Sequence, residues 1–317
     1  MHGSGRFTPE TAAQVRAAID RLGFRPNVLA RQLVQQRSTT VGVVVGALDN
    51  PIYAELVMQF ELEAAKHGFH AMFCNTQGDE NAELAGLGSY LDYRSAGVLF
   101  VSHPPGWIKA RQMIEGRIPA VFVTCDSDWG DVVRCDDETG GRIAAEHLIG
   151  LGHRRLAYFG DTVDDASNRD RRHGFEHVVR TAGLTPTVVT WNRYRAFDRD
   201  RQAQEAIADG ITAIFTTDDY GAIELLEAAD RLHVDVPADL SIVGFDDVIM
   251  SGLGRIGLTT VRQPKRLLAE TALVTLIERI KRGPDSPPIR QTVPVELVIR
   301  ASTAPPKHLT QTQFRLS

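Results

Sequence analysis

The stretch VGVVVGALDNPIYAELV (residues 41–57) sets the reading of the whole chain. A short run of β-branched and apolar residues passes through Asp49-Asn50-Pro51 into a longer helical stretch. The same alternation returns with HAMFC (70–74), AGVLFV (96–101) and AVFVT (120–124). It continues with RLAYFG (155–160), PTVVTW (186–191), ITAIFTT (211–217) and LSIVGF (240–245). Apolar strands separated by helices specify a parallel sheet covered on both faces. Eight such strands are many for one open sheet, so the expected fold is α/β, with two doubly wound parallel-sheet lobes of four or more strands each.

Sheets of this kind bind ligands beyond the carboxyl ends of their strands. Just past those ends lie Asp49 to Tyr53, Ser102-His103, Asp161 to Arg171, Asp218-Asp219 and Phe245-Asp246-Asp247. Carboxylates, arginines and an aromatic are thereby expected at one crevice between the lobes. Such a set suits a small polyhydroxylated ligand, because charged groups hydrogen-bond hydroxyls and Tyr53 offers an apolar face. Any aspartate following a strand can equally be a helix N-cap. That plainer role is expected for Asp219, and for the Asp136-Asp137-Glu138 run, whereas Asp246 is expected to serve the ligand.

Residues 1–40 are different. They hold six arginines against Glu10 and Asp20, a formal charge of +4, while the whole chain of 317 residues carries −5. A basic head on an acidic body suits a polyanionic partner, although a solvated helix face would look the same. Thr8-Pro9-Glu10 starts a helix, since threonine caps, proline fits the first turn and glutamate favours the dipole. Val15, Ala18, Ile19 and Leu22 follow at helical spacing and Gly23 ends the helix. Pro26 starts a second helix that runs only to about Val34, too short for stable isolated helicity in water. A partner surface would order it, with Arg25, Asn27 and Arg31 available for phosphates; the bland alternative is a linker helix packed on the body.

The three cysteines (Cys74, Cys125, Cys135) show no CxxC spacing and read as reduced, buried thiols of a cytoplasmic protein. No apolar run approaches a membrane span and the N-terminus has no signal-peptide core. P-loop, HExxH and GxSxG motifs are absent from the sequence. His147 and His153 are read as structural, and GGRIAA (140–145) as part of a helix rather than a phosphate cradle. No enzyme, metal or cofactor is expected.

RPNVLARQL (25–33) followed by TTVGVVV (39–45) resembles the hinge helix and first core strand of LacI/GalR-family bacterial transcriptional regulators. The resemblance continues in family order through DNPIYAELV, AGVLFV, DDETGGRIAAEHLIGLGHRRLAYFG, RRHGF, LSIVGFDD, LTTVRQP and VELVIRAST. It implies a type I periplasmic-binding-protein-like core holding an effector between its lobes, and a homodimer whose paired hinge helices enter the minor groove of operator DNA. Leu33 matches the apolar side chain that wedges into a base step. Asn27, Val28, Ala30 and Arg31 match its groove- and backbone-facing neighbours. For the effector, the resemblance implies Tyr53, Arg171 as the gripping arginine, Asp246 as hydroxyl acceptor, Asp218 where many members have Asn, and Thr124 where Asp is frequent. It also implies an aromatic platform after the strand at 186–191, with Phe197 chosen over Trp191 and Tyr194.

The implied domains are a remnant of the helix-turn-helix head (1–24), a hinge helix and linker (25–40) and two core lobes. The first lobe takes 41–135 plus 263–290, the second 136–262 plus 291–304, and a tail without leucine heptads follows (305–317). In the family the loop matching Gly3 to Arg6 follows the recognition helix, so the N-terminal part of that head is expected to be missing, through a start assigned too late. The implied function is a DNA-binding repressor controlled by a sugar or sugar derivative. The competing expectation is a truncated or transport-type sugar-binding protein without specific DNA binding.

Overall fold

The computed structural model describes residues 8–23, 38–101, 106–161, 165–191, 196–283 and 286–307. The side chains of Arg16, Trp191 and 196–199 are outside that description. Residues 1–39 and 40–317 form two separate units. In the first, helix α1 (Pro9–Leu22) is capped by Thr8, whose side chain accepts the Thr11 N–H, and ends at left-handed Gly23. Val15 and Leu22 on it are exposed. The expected helix from Pro26 lies outside the described residues.

The second unit holds two six-stranded sheets. The first is built from β1 (Thr40–Val45), β2 (His70–Asn75), β3 (Gly97–Val101), β4 (Ala120–Val123), β5 (Asp131–Cys135) and β11 (Arg290–Val293), in the order β11-β5-β4-β3-β1-β2. Helices α2 (Pro51–Lys66), α3 (Glu80–Asp92), α4 (Trp107–Ile114) and α9 (Lys265–Arg282) belong with it. The second is built from β6 (Leu156–Asp161), β7 (Thr187–Trp191), β8 (Ala213–Thr216), β9 (Ser241–Asp246), β10 (Thr259–Arg262) and β12 (Glu296–Val298), in the order β12-β10-β9-β8-β6-β7. Helices α5 (Asp137–Gly150), α6 (Ala166–Thr181), α7 (Ala196–Ala208) and α8 (Asp219–Arg231) belong with that sheet. All pairings are parallel except β12 on β10.

Each sheet is apolar on both faces. Val41, Val43 and Val45 face one core with Leu56, Phe60 and Leu273, while Val44, Val98 and Phe100 face another with Leu87 and Phe122. In the second lobe Phe159, Ile214 and Ile242 face one core, and Tyr158, Phe215 and Phe245 the other. This explains the uninterrupted apolar runs. Every expected strand is present, and β5, β10, β11 and β12 are additional. The chain passes between lobes after β5, after β10 and after β11. The last passage therefore falls at Pro294-Val295, and the boundary expected between 290 and 291 lies inside β11, which pairs with β5 from Arg290 onward.

Two buried charges mark how the first lobe is held. Asp131, wholly buried at the start of β5, is gripped by the Arg279 guanidinium through both oxygens and accepts the Ile289 N–H at 2.6 Å. This joins α9 and β11 to the sheet. Glu83, also wholly buried, accepts only the Gly106 N–H at 3.3 Å, and its other oxygen has no partner among the described residues. Burial, with the charge of Glu80 adding to it, pushes its pKa up to about 7 against the bond from Gly106.

A raised carboxyl pKa means the folded state holds its proton longer than the unfolded one. Its contribution is full below the unfolded value and fades as pH climbs through about 4.5 to about 7. Glu83→Gln is therefore expected to match the parent at pH 4 and to be more stable at pH 8 by on the order of 1–2 kcal/mol. Urea melts at the two pH values check this; an equal difference at both would contradict it.

Candidate functional site

Helices α5 and α6 cross at backbone contact, and this crossing places the central arginine. A Cβ on Gly141 would stand 1.9 Å from the Arg171 carbonyl oxygen, and one on Gly174 would stand 2.0 Å from that of Glu138. With both positions free of side chain, Arg171 of α6 lies directly over the start of α5. There its Nε donates to Asp137 at 2.8 Å, and one terminal nitrogen donates to the Thr217 carbonyl at 2.6 Å. The guanidinium carbon lies 3.6 Å above the Phe245 ring, a cation–π arrangement in a desolvated setting. The same terminal nitrogen is 3.9 Å from the Asp246 carboxylate.

Asp246 ends β9 with left-handed backbone, φ +115°. Its carboxylate accepts the Gln263 amide at 2.5 Å, and the other end of that amide accepts the Cys135 thiol at 3.2 Å. Burial is the main force on its charge and raises its pKa well above the ordinary range; Asp218 and Asp219 add to this and Arg171 opposes it. For Arg171 burial also works against the charge, but Asp137 and Asp246 outweigh it and hold the pKa above normal. The guanidinium thus stays ionised.

Both lobes contribute. Ser167 Oγ of α6 lies 2.9 Å from the Thr124 carbonyl of the first lobe and 2.9 Å from Asp137. Arg134 of β5 pairs with Asp170 of α6 at 2.5 Å and with Asp137 at 3.3 Å. Thr124 itself is half-buried with φ +63°. The result is a planar cation on an aromatic floor, flanked by carboxylates, where two lobes meet beyond their strand ends. Such a site can grip a ligand rich in hydroxyls, each sharing donor and acceptor roles with these groups.

A family model described as a periplasmic binding protein-like domain matches residues 145–303. The ribose operon repressor of Escherichia coli (strain K12) is 31% identical over 87% of this chain and 86% of its own length. The chain belongs to the LacI/GalR family of transcriptional regulators. The HTH-type transcriptional repressor PurR of Aliivibrio salmonicida is 30% identical over 87% of this chain and 85% of its own. A solved structure of the lac repressor dimer bound to operator and the anti-inducer ONPF superposes with TM-score 0.82 at 25% identity, covering 95% of this chain and 92% of that one.

Within this LacI/GalR chain the expected effector positions are distributed unevenly. Arg171 and Asp246 lie together, and Asp218 is close enough for its charge to act on Asp246. Tyr53 is half-buried one turn into α2, against the first-lobe core. The side chains of Phe197, Trp191 and Tyr194 lie outside the described residues, as do Arg25, Asn27, Val28, Ala30, Arg31 and Leu33.

The capping role expected of Asp219 belongs instead to Asp218, which accepts the Gly221 N–H at 2.7 Å. Asp219 is wholly buried beneath it and accepts Ser251 Oγ (2.6 Å), Thr260 Oγ1 (2.5 Å) and the Val248 N–H (2.9 Å). Burial pushes its pKa up to about 7, with those hydrogen bonds opposing. In the Asp136 run, Asp136 caps α5 through the Thr139 N–H, but Asp137 is the partner of Arg171. Sequence reasoning missed Asp137 and Gln263 as site residues, and it placed Phe245 at the strand ends without assigning it to Arg171; only the tertiary pairing identifies these roles.

His153 is tied at 2.9 Å to Thr212, at 3.1 Å to Ser241 and at 2.9 Å to the Ala304 carbonyl, and His147 at 3.0 Å to Thr303. Both pin the end of the described chain to the second lobe. Cys125 and Cys135 are buried and Cys74 half-buried, and no disulfide joins them. No helix among the described residues is long and apolar enough to cross a membrane.

Proposed function

We propose that this chain is a cytoplasmic, operator-binding repressor whose affinity for DNA is set by a sugar or sugar derivative held between its lobes. The buried Arg171–Asp137–Asp246 group over Phe245 carries the reading. A guanidinium held over an aromatic ring and a carboxylate 3.9 Å away are suited to sugar hydroxyls, which accept from the one and donate to the other. The relationship to the ribose operon repressor supports the sugar class. Effector control follows as linkage: the ligand shifts DNA binding only by its differential affinity for two lobe arrangements.

Tyr53, Thr124, Asp218 and the aromatic Phe197 complete the effector set in this reading. Arg25, Asn27, Val28, Ala30, Arg31 and Leu33 form the minor-groove element, with Leu33 as the wedge. A homodimer is the working unit. The apolar residues Met58, Leu62 and Phe73 of the first lobe and Tyr220, Ile249 and Leu253 of the second are exposed, and a second copy would cover them.

A thermal-shift panel of neutral sugars, sugar acids and sugar phosphates tests the reading. At 100 times its Kd a matching sugar stabilises by about 2.7 kcal/mol. Footprinting on the upstream region of its own gene then checks the DNA half, with Leu33→Ala expected to weaken operator binding by roughly tenfold or more. No response to any sugar, together with DNA binding indifferent to Leu33→Ala, would overturn the proposal.

A further inference from the structure

A hydrogen-bonded chain runs from Asp246 to the outer helix α2 of the other lobe. Asp246 and Asp247 both have positive φ, +115° and +51°; aspartate tolerates the second, but a side-chain-bearing residue holds the first only when its surroundings enforce it. Lys265, the first residue of α9, supplies the enforcement. Its Nζ donates to the carbonyls of Asp246 (2.9 Å) and Asp247 (2.6 Å) and pairs with Glu55 of α2 at 3.1 Å. Glu55 in turn accepts the Ile249 N–H at 2.8 Å.

The neighbouring amides make the arrangement directional. Val248 donates to Asp219 of the second lobe, and Ile249, one residue on, donates to Glu55 of the first. The Val248 side chain is buried as part of the first-lobe core, with Met250 packed against that core. The segment 246–250 therefore belongs to the second lobe by chain and to the first by packing. Lys265 and Glu55 are mostly covered, so their charges act with little screening.

We infer that Glu55 and Lys265 are positioning residues that clamp the Asp246–Ile249 backbone to the first lobe, so that displacement of the Asp246 carboxylate is transmitted to α2. This rests on Asp246 facing the effector, as proposed above. Helix α2 carries the exposed Met58 and Leu62, so the far end of the chain is the face assigned to the second copy. Coupling of this kind needs a contiguous network that both ends bias, and the clamp supplies one.

Hydrogen exchange on the full chain, without ligand, tests the clamp as a double-mutant cycle. Asp246→Asn is expected to change exchange of the α2 amides by roughly fivefold or more in the parent. In a Lys265→Met background the same change should have less than about a twofold effect, and Lys265→Arg, which keeps donors for both carbonyls, should restore transmission. Equal effects in both backgrounds, or no α2 response in either, overturn the clamp. A pair that merely stabilises the fold would raise exchange in single variants yet leave the Asp246→Asn effect unaltered. Calorimetric titration of D-ribose forms a separate arm. Absence of heat with the parent chain counts against ribose as effector, while the exchange cycle still decides the clamp.

Discussion

Alanine at Gly174 is expected to destabilise the second lobe by on the order of 2–4 kcal/mol and to weaken ligand binding at the same time. The added methyl would lie 2.0 Å from the Glu138 carbonyl oxygen and 3.0 Å from the Arg142 nitrogen. Both are backbone atoms of α5, so no rotamer change relieves the overlap. The helices must separate, and α6 takes Arg171 with it, away from Asp137. Gly141→Ala meets the reciprocal obstacle, 1.9 Å from the Arg171 carbonyl. Alanine ordinarily favours helix over glycine by about 1 kcal/mol, so a loss of stability here reports the close approach alone. Denaturant midpoints for both variants check this, and a neutral or stabilising result would mean the helices are further apart than described.

Arg171→Met is expected to be the most damaging single change at the crevice. It removes the counter-charge that Asp137 and Asp246 share while keeping an apolar stem over Phe245. Breaking a buried pair from one side costs roughly 3–5 kcal/mol, although Arg134 still attends Asp137 and softens the loss. Adding Asp137→Asn should return much of that stability, because an amide tolerates the site without a cation. Ligand affinity should stay at least about a hundredfold down in both, since a charge-assisted bond and the cation over the ring are gone. Melting curves with and without the sugar that stabilises the parent separate these outcomes. If the double variant recovers binding along with stability, Arg171 is a structural residue and the crevice reading fails.

Much of this site was legible in the chain, for physical reasons that differ residue by residue. Asp246 ends a strand in a fold whose ligands bind at strand ends, so the chain pattern could name it, whereas Arg171, inside α6, was singled out by the resemblance to the LacI/GalR family. Asp137 sits in a run of three acidic residues at a helix start, where capping is the cheaper explanation; Asp136 does cap. Its partnership with Arg171 arises from the α5–α6 crossing, which joins residues 34 apart. The cap fell to Asp218 because α8 begins at Asp219, one residue earlier than a cap at Asp219 would require, which leaves Asp219 inside the helix and turned into the core. The missing strands were short and broken by charged or polar residues, as in DVVRC and RQTV, and these two are defined by pairing with each other in the first sheet.

By itself the sequence determined the two-lobed α/β architecture, the succession of its main strands along the chain and the strand ends at which polar and charged residues gather. Those features depend on local apolar periodicity and on turn residues, which act over a few positions. Tertiary structure decided which carboxylate meets the arginine, where the chain last passes between lobes, and that Lys265 and Glu55 hold the Asp246 backbone. Each of these pairs groups far apart along the chain, and their energies exist only once two elements are packed and water is excluded.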